Sequence, residues 1–352
     1  MRHNVVERAV QHRQVFRLYP TCKLVRGGAY SAIYDLDRRL LFRFDSAYLP
    51  LFELAESGIP VEELEQLDPL PQRRSLEAIA FLQEKEVGRY LDPVSAAYLT
   101  PLQEHWDSAN TILSAIVDVD QTAPDWKNLI VEFDSLQTRF LQIRCFSDLI
   151  DRRAADDILR FARGTRITRI ELLLKWAPEW EEQNWKGLFD EFRNLQRVRL
   201  HSAPMDRDLS GASVSELPLR LVRFEEKPAG SAEHCGAISE GSLSAPSTWL
   251  YSELRNFNGC LNRKVAIRAD GQICNCPSMR ATYGSDTRRL AEIVKSPEFQ
   301  RPWAIRKDTI GICAGCEFRY VCTDCRAYLG DDLSTEKPAR CGYDPAAGRW
   351  AV

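Results

Sequence analysis

The sequence predicts an α/β protein built on an incomplete (β/α) barrel, with an α+β unit before it and a cysteine-rich module after it. Three observations carry that prediction. Between residues 110 and 228, apolar runs suited to buried parallel strands alternate with amphipathic stretches. Ahead of them, residues 19–92 read as strands followed by helices. Behind them, eight of the eleven cysteines crowd between Cys260 and Cys341. The expected divisions are 1–100, 101–230 and 231–352.

In the first unit, Ala29–Leu36 and Leu40–Phe44 are rich in β-formers, and the polar turn Asp37-Arg38-Arg39 between them predicts a hairpin. Helical spacing runs from Ser46 to Gly58, and residues 61–67 and Arg74–Gly88 predict two more helices. Strands followed by three helices make a winged-helix-like pattern; a small α+β domain of another kind is the alternative. No basic recognition helix is present, which argues against DNA reading by such a unit.

In the middle region, strand candidates are Thr111–Val119, Leu141–Phe146, Ile167–Leu174, Val198–His201 and Leu219–Phe224. Ala154–Ala162 and Trp185–Leu195 read as intervening helices. About five βα units are fewer than a closed eight-fold barrel needs. There is no G-x4-G-K-[ST] loop and no G-x-G-x-x-G after a strand, so phosphate-cradling chemistry is not indicated. Cys22 and Cys145 stand alone and read as small buried residues. Two Ser-, Gly- and Pro-rich patches, 202–216 and 228–247, predict long loops, and the second carries His234-Cys235-Gly236. Gly236 permits close backbone approach, which would let Cys235 join a metal centre or remain a loop thiol.

The last quarter holds Cys260, Cys274, Cys276, Cys313, Cys316, Cys322, Cys325 and Cys341, four of them in a C-x2-C-x5-C-x2-C run. Cysteines two residues apart on a tight turn aim both sulfurs at one site, a spacing shared by zinc and iron–sulfur proteins. Lys264–Arg268 and the segment after Asp270-Gly271 predict a hairpin that brings Cys260 and Cys276 together. Cys274 and Cys276 would share a face if a strand runs through both. A disulfide framework belongs to small secreted chains, whereas this chain has 352 residues and no secretory signal in its opening Met1-Arg2-His3. Thiolates held by metal in a reducing cytoplasm are therefore expected. The net charge of -3 with scattered Lys and Arg gives no nucleic-acid surface, and no apolar run approaches the roughly 18 residues of a membrane span.

The order Cys260, Gly271, Cys276, C-x2-C-x5-C-x2-C and Cys341 resembles the SPASM domain of radical S-adenosylmethionine peptide-modifying enzymes. Two features depart from that pattern. Cys322 and Cys325 have two residues between them where three are usual. The C-x3-C-x2-C motif that follows the first barrel strand in those enzymes is absent, so the chain lacks the three thiolates that reductive cleavage of the cofactor needs.

The phrases CLNRK, GQICNCPSM, KDTIGICAGCEFRYVCTDCRAY and KPARCGYDP, with YSAIYDLDRR and HCG more loosely, resemble the SPASM-domain peptide maturase of grasp-with-spasm systems. That resemblance implies a degenerate radical-SAM-type barrel, a precursor-recognition unit at the amino terminus, and a SPASM domain holding two 4Fe-4S clusters. It further implies a role in maturing a ribosomally synthesised precursor peptide alongside an ATP-grasp ligase, without cleavage of S-adenosylmethionine. Cys313, Cys316, Cys322 and Cys341 would hold the outer cluster. Cys260, Cys276 and Cys325 would hold the inner one, its fourth position filled by Cys235, Cys274 or an exogenous group. Zinc is the alternative metal. A cluster-dependent enzyme in its own right and a zinc-binding scaffold are the alternative functions.

Overall fold

A computed structural model describes residues 14–65, 69–210 and 220–351. The end of the helix expected over 61–67, and residues 211–216 of the first expected loop, lie outside the described residues.

The amino-terminal unit contains two small antiparallel sheets. Strands β1 (Val15–Leu18), β2 (Cys22–Val25), β3 (Tyr30–Asp35) and β4 (Leu40–Asp45) are followed by helix α1 (Leu49–Ser57), β5 (Ile59–Pro60) and helices α2 (Val61–Glu65) and α3 (Pro69–Glu84). β6 (Gly88–Leu91) closes the unit. β2, β3 and β4 form one meander, and β1 sits between β5 and β6 in the other sheet. The β3–β4 turn falls where the sequence puts it, because Asp35 accepts the backbone N–H groups of Asp37 and Arg38 at 3.1 and 2.9 Å. α1 stops at Gly58, whose φ of +108° favours glycine. Phe16, Phe52, Ile79 and Leu82 form a core under the helices.

The middle of the chain alternates β7 (Ser114–Val119), α4 (Trp126–Ser135), β8 (Phe140–Cys145), α5 (Arg152–Phe161) and β9 (Arg169–Lys175). It continues with α6 (Trp185–Glu191), β10 (Leu195–His201), β11 (Arg207–Ser210) and β12 (Leu221–Glu225). Each of the five predicted strands is present in one eight-stranded, mostly parallel sheet. β7, β8, β9, β10 and β12 lie side by side in chain order, so the right-handed crossovers between them all run the same way across the sheet. Helices therefore cover one face only. Val117 and Val119 of β7 and Ile143 of β8 meet Leu129, Phe133, Ile158 and Leu159 of the helices in a single core. The other face is charged: Asp118, Arg144, Arg199 and Arg223 stand in register along one row with Leu173. β11 occupies part of the first expected loop and pairs antiparallel with β12 at the sheet's edge.

The cysteine-rich region does not stand apart from this sheet. After helix α7 (Thr248–Asn256), β13 (Lys264–Ile267) pairs parallel to β7, and β14 (Ile273–Cys274) pairs antiparallel to β13. The hairpin is where the sequence predicts it, with a turn one residue longer than Asp270-Gly271 alone. Ala269 joins them, and Gly271 takes the positive φ (+80°) of a bulged three-residue turn. Short α8 (Leu290–Ile293), α9 (Pro297–Gln300), α10 (Gly311–Ala314) and the ribbon β15 (Tyr343–Asp344) and β16 (Arg349–Trp350) complete the fold. A third core joins Val25, Ala32 and Tyr34 of the amino-terminal meander to Tyr251, Phe318, Tyr320 and Tyr343. Among the described residues no helix is long and apolar enough to cross a membrane.

Candidate metal centre

Nine cysteines were singled out by sequence, and the fold sorts eight of them into two groups of four. Cys313, Cys316, Cys322 and Cys341 line one small cavity whose walls include Ile238, Leu243, Phe318 and Trp350. α10 carries Cys313, a tight turn donates Cys316 N–H back to the Cys313 carbonyl at 3.0 Å, and an isolated bridge from Ile238 fixes Cys341. Burial pushes the Cys316 thiol up to about 12.

The second group surrounds the mouth of the hairpin. Cys276 interacts electrostatically with Cys260 and Cys325, and Cys325 with Cys260 and Cys235. Burial is the main cause that pushes Cys276 up to about 12 and Cys325 up to about 11, with Cys260 next. Gly236, at φ +93°, lets the Cys235 loop close: a Cβ there would stand 2.9 Å from the Cys325 sulfur. Cys274 is placed differently. The strand ends at Cys274, so the common face expected for Cys274 and Cys276 is not formed. The Cys274 sulfur points at the Ala266 carbonyl (3.6 Å), and its charged neighbours besides Cys276 are Arg268, Asp118 and Asp270. Cys22 and Cys145 are buried, as read from the sequence.

Among the described residues, no three His, Cys, Asp or Glu side chains converge on the position of a single ion. A tetrahedral zinc and a 4Fe-4S core each take four thiolates, so each group of four carries the donor set of either centre. The surroundings also suit an anionic centre. Lys264 Nζ lies 3.5 Å from the Cys260 sulfur, and Lys307 Nζ lies 3.8 Å from the Cys313 sulfur. Burial works against both ammonium charges, yet Cys260 and Cys276 hold Lys264 up, and Asp324 with Cys322 holds Lys307 up. Each group of thiols thus has a lysine aimed at it.

Sequence reasoning missed these lysines, together with Asp324 and Asn258. Asp324 is 1% exposed and sits between Cys322 and Cys325. It pairs with Lys307 (3.0 Å) and Arg326 (2.9 Å) and accepts from Asn258 Nδ2 (2.8 Å). Arg326 and Arg319 are both buried. Arg326 binds Asp324 and the carbonyls of Ser334 and Glu336, and Arg319 binds the carbonyls of Arg26 and Cys316. They brace the loops that carry the cysteines.

Beside the second group lies a cleft of about 620 Å³ at the carboxyl ends of β7 and β8. Asp118, Asp120 and Phe146 come from those strand ends, Arg268 and Asp270 from the hairpin turn. Much of its remaining wall comes from segments that flank three cysteines: Ala232 and Glu233 before Cys235, Pro277 and Ser278 after Cys276, and Tyr328 after Cys325. Tyr328 Oη donates to Ser278 Oγ (3.1 Å), which donates to the Ala232 carbonyl (3.4 Å), so the three segments are tied together. Arg340 stacks on the Tyr328 ring at 3.6 Å and donates to the Cys235 carbonyl at 2.8 Å. Deeper in, Arg144 grips Asp118 through two hydrogen bonds of 2.6 and 2.7 Å, both side chains buried.

No protein-family model matches the chain, and no curated protein does. Among solved structures, the crystal structure of SuiB from Streptococcus suis is similar with a TM-score of 0.34 and 11% identity, over 94% of this chain and 98% of that one. The crystal structure of SuiB bound to S-adenosylmethionine gives a TM-score of 0.29 and 10% identity, over 91% and 96%.

Proposed function

We propose that this chain is an iron–sulfur protein of peptide maturation, related to SPASM-domain maturases, that binds a ribosomally synthesised precursor peptide and presents it to an ATP-grasp ligase. The observation that carries the reading is the cleft much of whose wall comes from the segments flanking Cys235, Cys276 and Cys325. In open parallel sheets ligands bind at the carboxyl ends of the strands, and this cleft is at that end. In this reading Cys313, Cys316, Cys322 and Cys341 hold one 4Fe-4S cluster, and Cys235, Cys260, Cys276 and Cys325 the other. Lys264 and Lys307 offset their negative charge, and Asp118, Asp120 and Glu233 give the cleft acidic walls that orient a peptide. The segment after β7 reads Asp120-Gln121-Thr122-Ala123-Pro124-Asp125, so no thiolate is available there for radical cleavage of S-adenosylmethionine.

Cys235 is exposed, which favours a second reading in which the cleft's occupant meets the inner cluster and is modified there. Mass analysis of a co-expressed precursor peptide separates the two. A mass change requiring only this protein supports the enzyme, and ligase-dependent processing that falls without it supports presentation. Processing equally complete without it refutes presentation. An anaerobic preparation assayed for iron, sulfide and zinc tests the metal: two clusters require about eight irons per chain, and zinc alone refutes them.

A further inference from the structure

The segment Gly315–Arg319, which starts inside the first C-x2-C pair and runs on towards the second, is where the amino-terminal unit is attached. Gly28 N–H donates to the Gly315 carbonyl at 2.8 Å, and Tyr34 Oη donates to the Glu317 carbonyl at 2.6 Å. Arg319 reaches back to the Arg26 carbonyl. Glu317 itself is 0% exposed, and a carboxylate buried that completely needs a fixed partner. Arg43 of β4 supplies it, with Nε at 3.1 Å and Nη2 at 2.9 Å from Oε1, and the Tyr343 hydroxyl donates to the same oxygen. Arg43 also donates to the Gly348 carbonyl at 3.1 Å and lies over the Tyr30 and Phe318 rings. The loop between Cys316 and Cys322 is thus both the backbone of the outer cysteine group and the seat of the β2–β4 meander.

We propose that the outer cysteine group fastens the amino-terminal unit: filling it fixes the Gly315–Arg319 loop, and the loop then holds the Cys22–Asp45 meander in place. This rests on the reading that the outer cysteines bind a metal centre. The inner group has no such attachment among the contacts described, so the two centres have separate tasks. Segments that flank the inner cysteines wall the cleft, and the outer group governs how firmly the amino-terminal unit is held. Emptying the outer group frees Cys316 and Cys322, unpins Glu317, and leaves the Arg43 pair to hold a mobile loop.

Hydrogen exchange measured by mass spectrometry on the full chain tests this. Four anaerobic samples are compared: metal-loaded wild type, Cys316→Ala, Cys276→Ala as the inner-group control, and Arg43→Met. Amides of residues 22–45 should exchange about tenfold faster or more in Cys316→Ala, the scale of a lost charge-assisted buried contact, and stay near wild type in Cys276→Ala. Arg43→Met should speed the same amides while its metal content stays at the wild-type value. Unchanged exchange over residues 22–45 in Cys316→Ala overturns the proposal whatever Arg43→Met does, as does equal acceleration in the two cysteine variants. Wild type carrying no metal refutes the underlying reading instead, and the Arg43→Met arm still reports on the attachment.

Discussion

Asp324→Asn isolates the charge at the heart of the metal region. Asn258 Nδ2 keeps an acceptor at position 324, and the backbone there has φ +53°, a conformation that asparagine tolerates. What is lost is the negative charge that Lys307 and Arg326 share, at 3.0 and 2.9 Å, with all three side chains no more than 5% exposed. Removing one member of a buried ionic group costs about 3–5 kcal/mol, because the remaining cations stay buried without a counter-charge. With a urea m-value near 3 kcal/mol/M, the unfolding midpoint of metal-free protein should fall by about 1–1.7 M. Loading changes the sum. Metal-bound thiolates put negative charge beside Lys307, whose Nζ is 3.8 Å from Cys313, so the penalty should be smaller in reconstituted protein than in stripped protein. A loss below about 1 kcal/mol in stripped protein, or a larger loss after loading, would refute the reasoning.

Four further outcomes are expected. Glu253 is 6% exposed, and burial raises its carboxyl from 4.5 to about 7 against the pull of Asn262 and Lys264. The folded state therefore binds more protons than the unfolded one in that window, and stability should fall by about 3 kcal/mol as pH rises from 4.5 through 7; Glu253→Gln should flatten that slope in pH-dependent denaturation. Gly236→Ala places a Cβ 2.9 Å from the Cys325 sulfur at φ +93°, so it should cost about 1–2 kcal/mol in melting experiments and lower metal content at the inner group alone. Cys235→Ala should lower that content too, while Cys274→Ala leaves it unchanged in iron analysis. Because burial keeps Cys276, Cys316 and Cys325 protonated when metal-free, loading must release protons; apparent affinity should weaken about tenfold or more from pH 7.5 to 6.5 in chelator competition, and a flat profile would contradict it.

The sheet was legible in the sequence because parallel strands buried on their helix side leave runs such as Thr111–Val119 and Ile167–Leu174, and burial dominates where they pair. α4 escaped notice although Asp125 before Trp126 is a capping signal, its side chain accepting from Asn128 N–H at 3.1 Å. β11 escaped because Arg207–Ser210 is polar and exposed, an edge strand defined by its partner rather than its composition. The cysteine positions were plain in the spacing, but the direction of each side chain was not. Whether Cys274 or Cys235 faces Cys325 depends on where β14 ends and on the positive φ of Gly236. Lys264, Lys307 and Asp324 were invisible as a set, since nothing in a linear chain marks which lysines are folded inward.

The chain lays down β7 first, builds outward to β12, and then returns to the opposite flank of β7 to add β13. β7 is therefore the template against which the cysteine hairpin takes its register: Val265 is fixed by Ala115 and Ile267 by Val117. The parallel strands thus serve as the mould for the neighbouring hairpin, and a substitution that shifts β7 shifts the register of Cys274 and the residues around it as well.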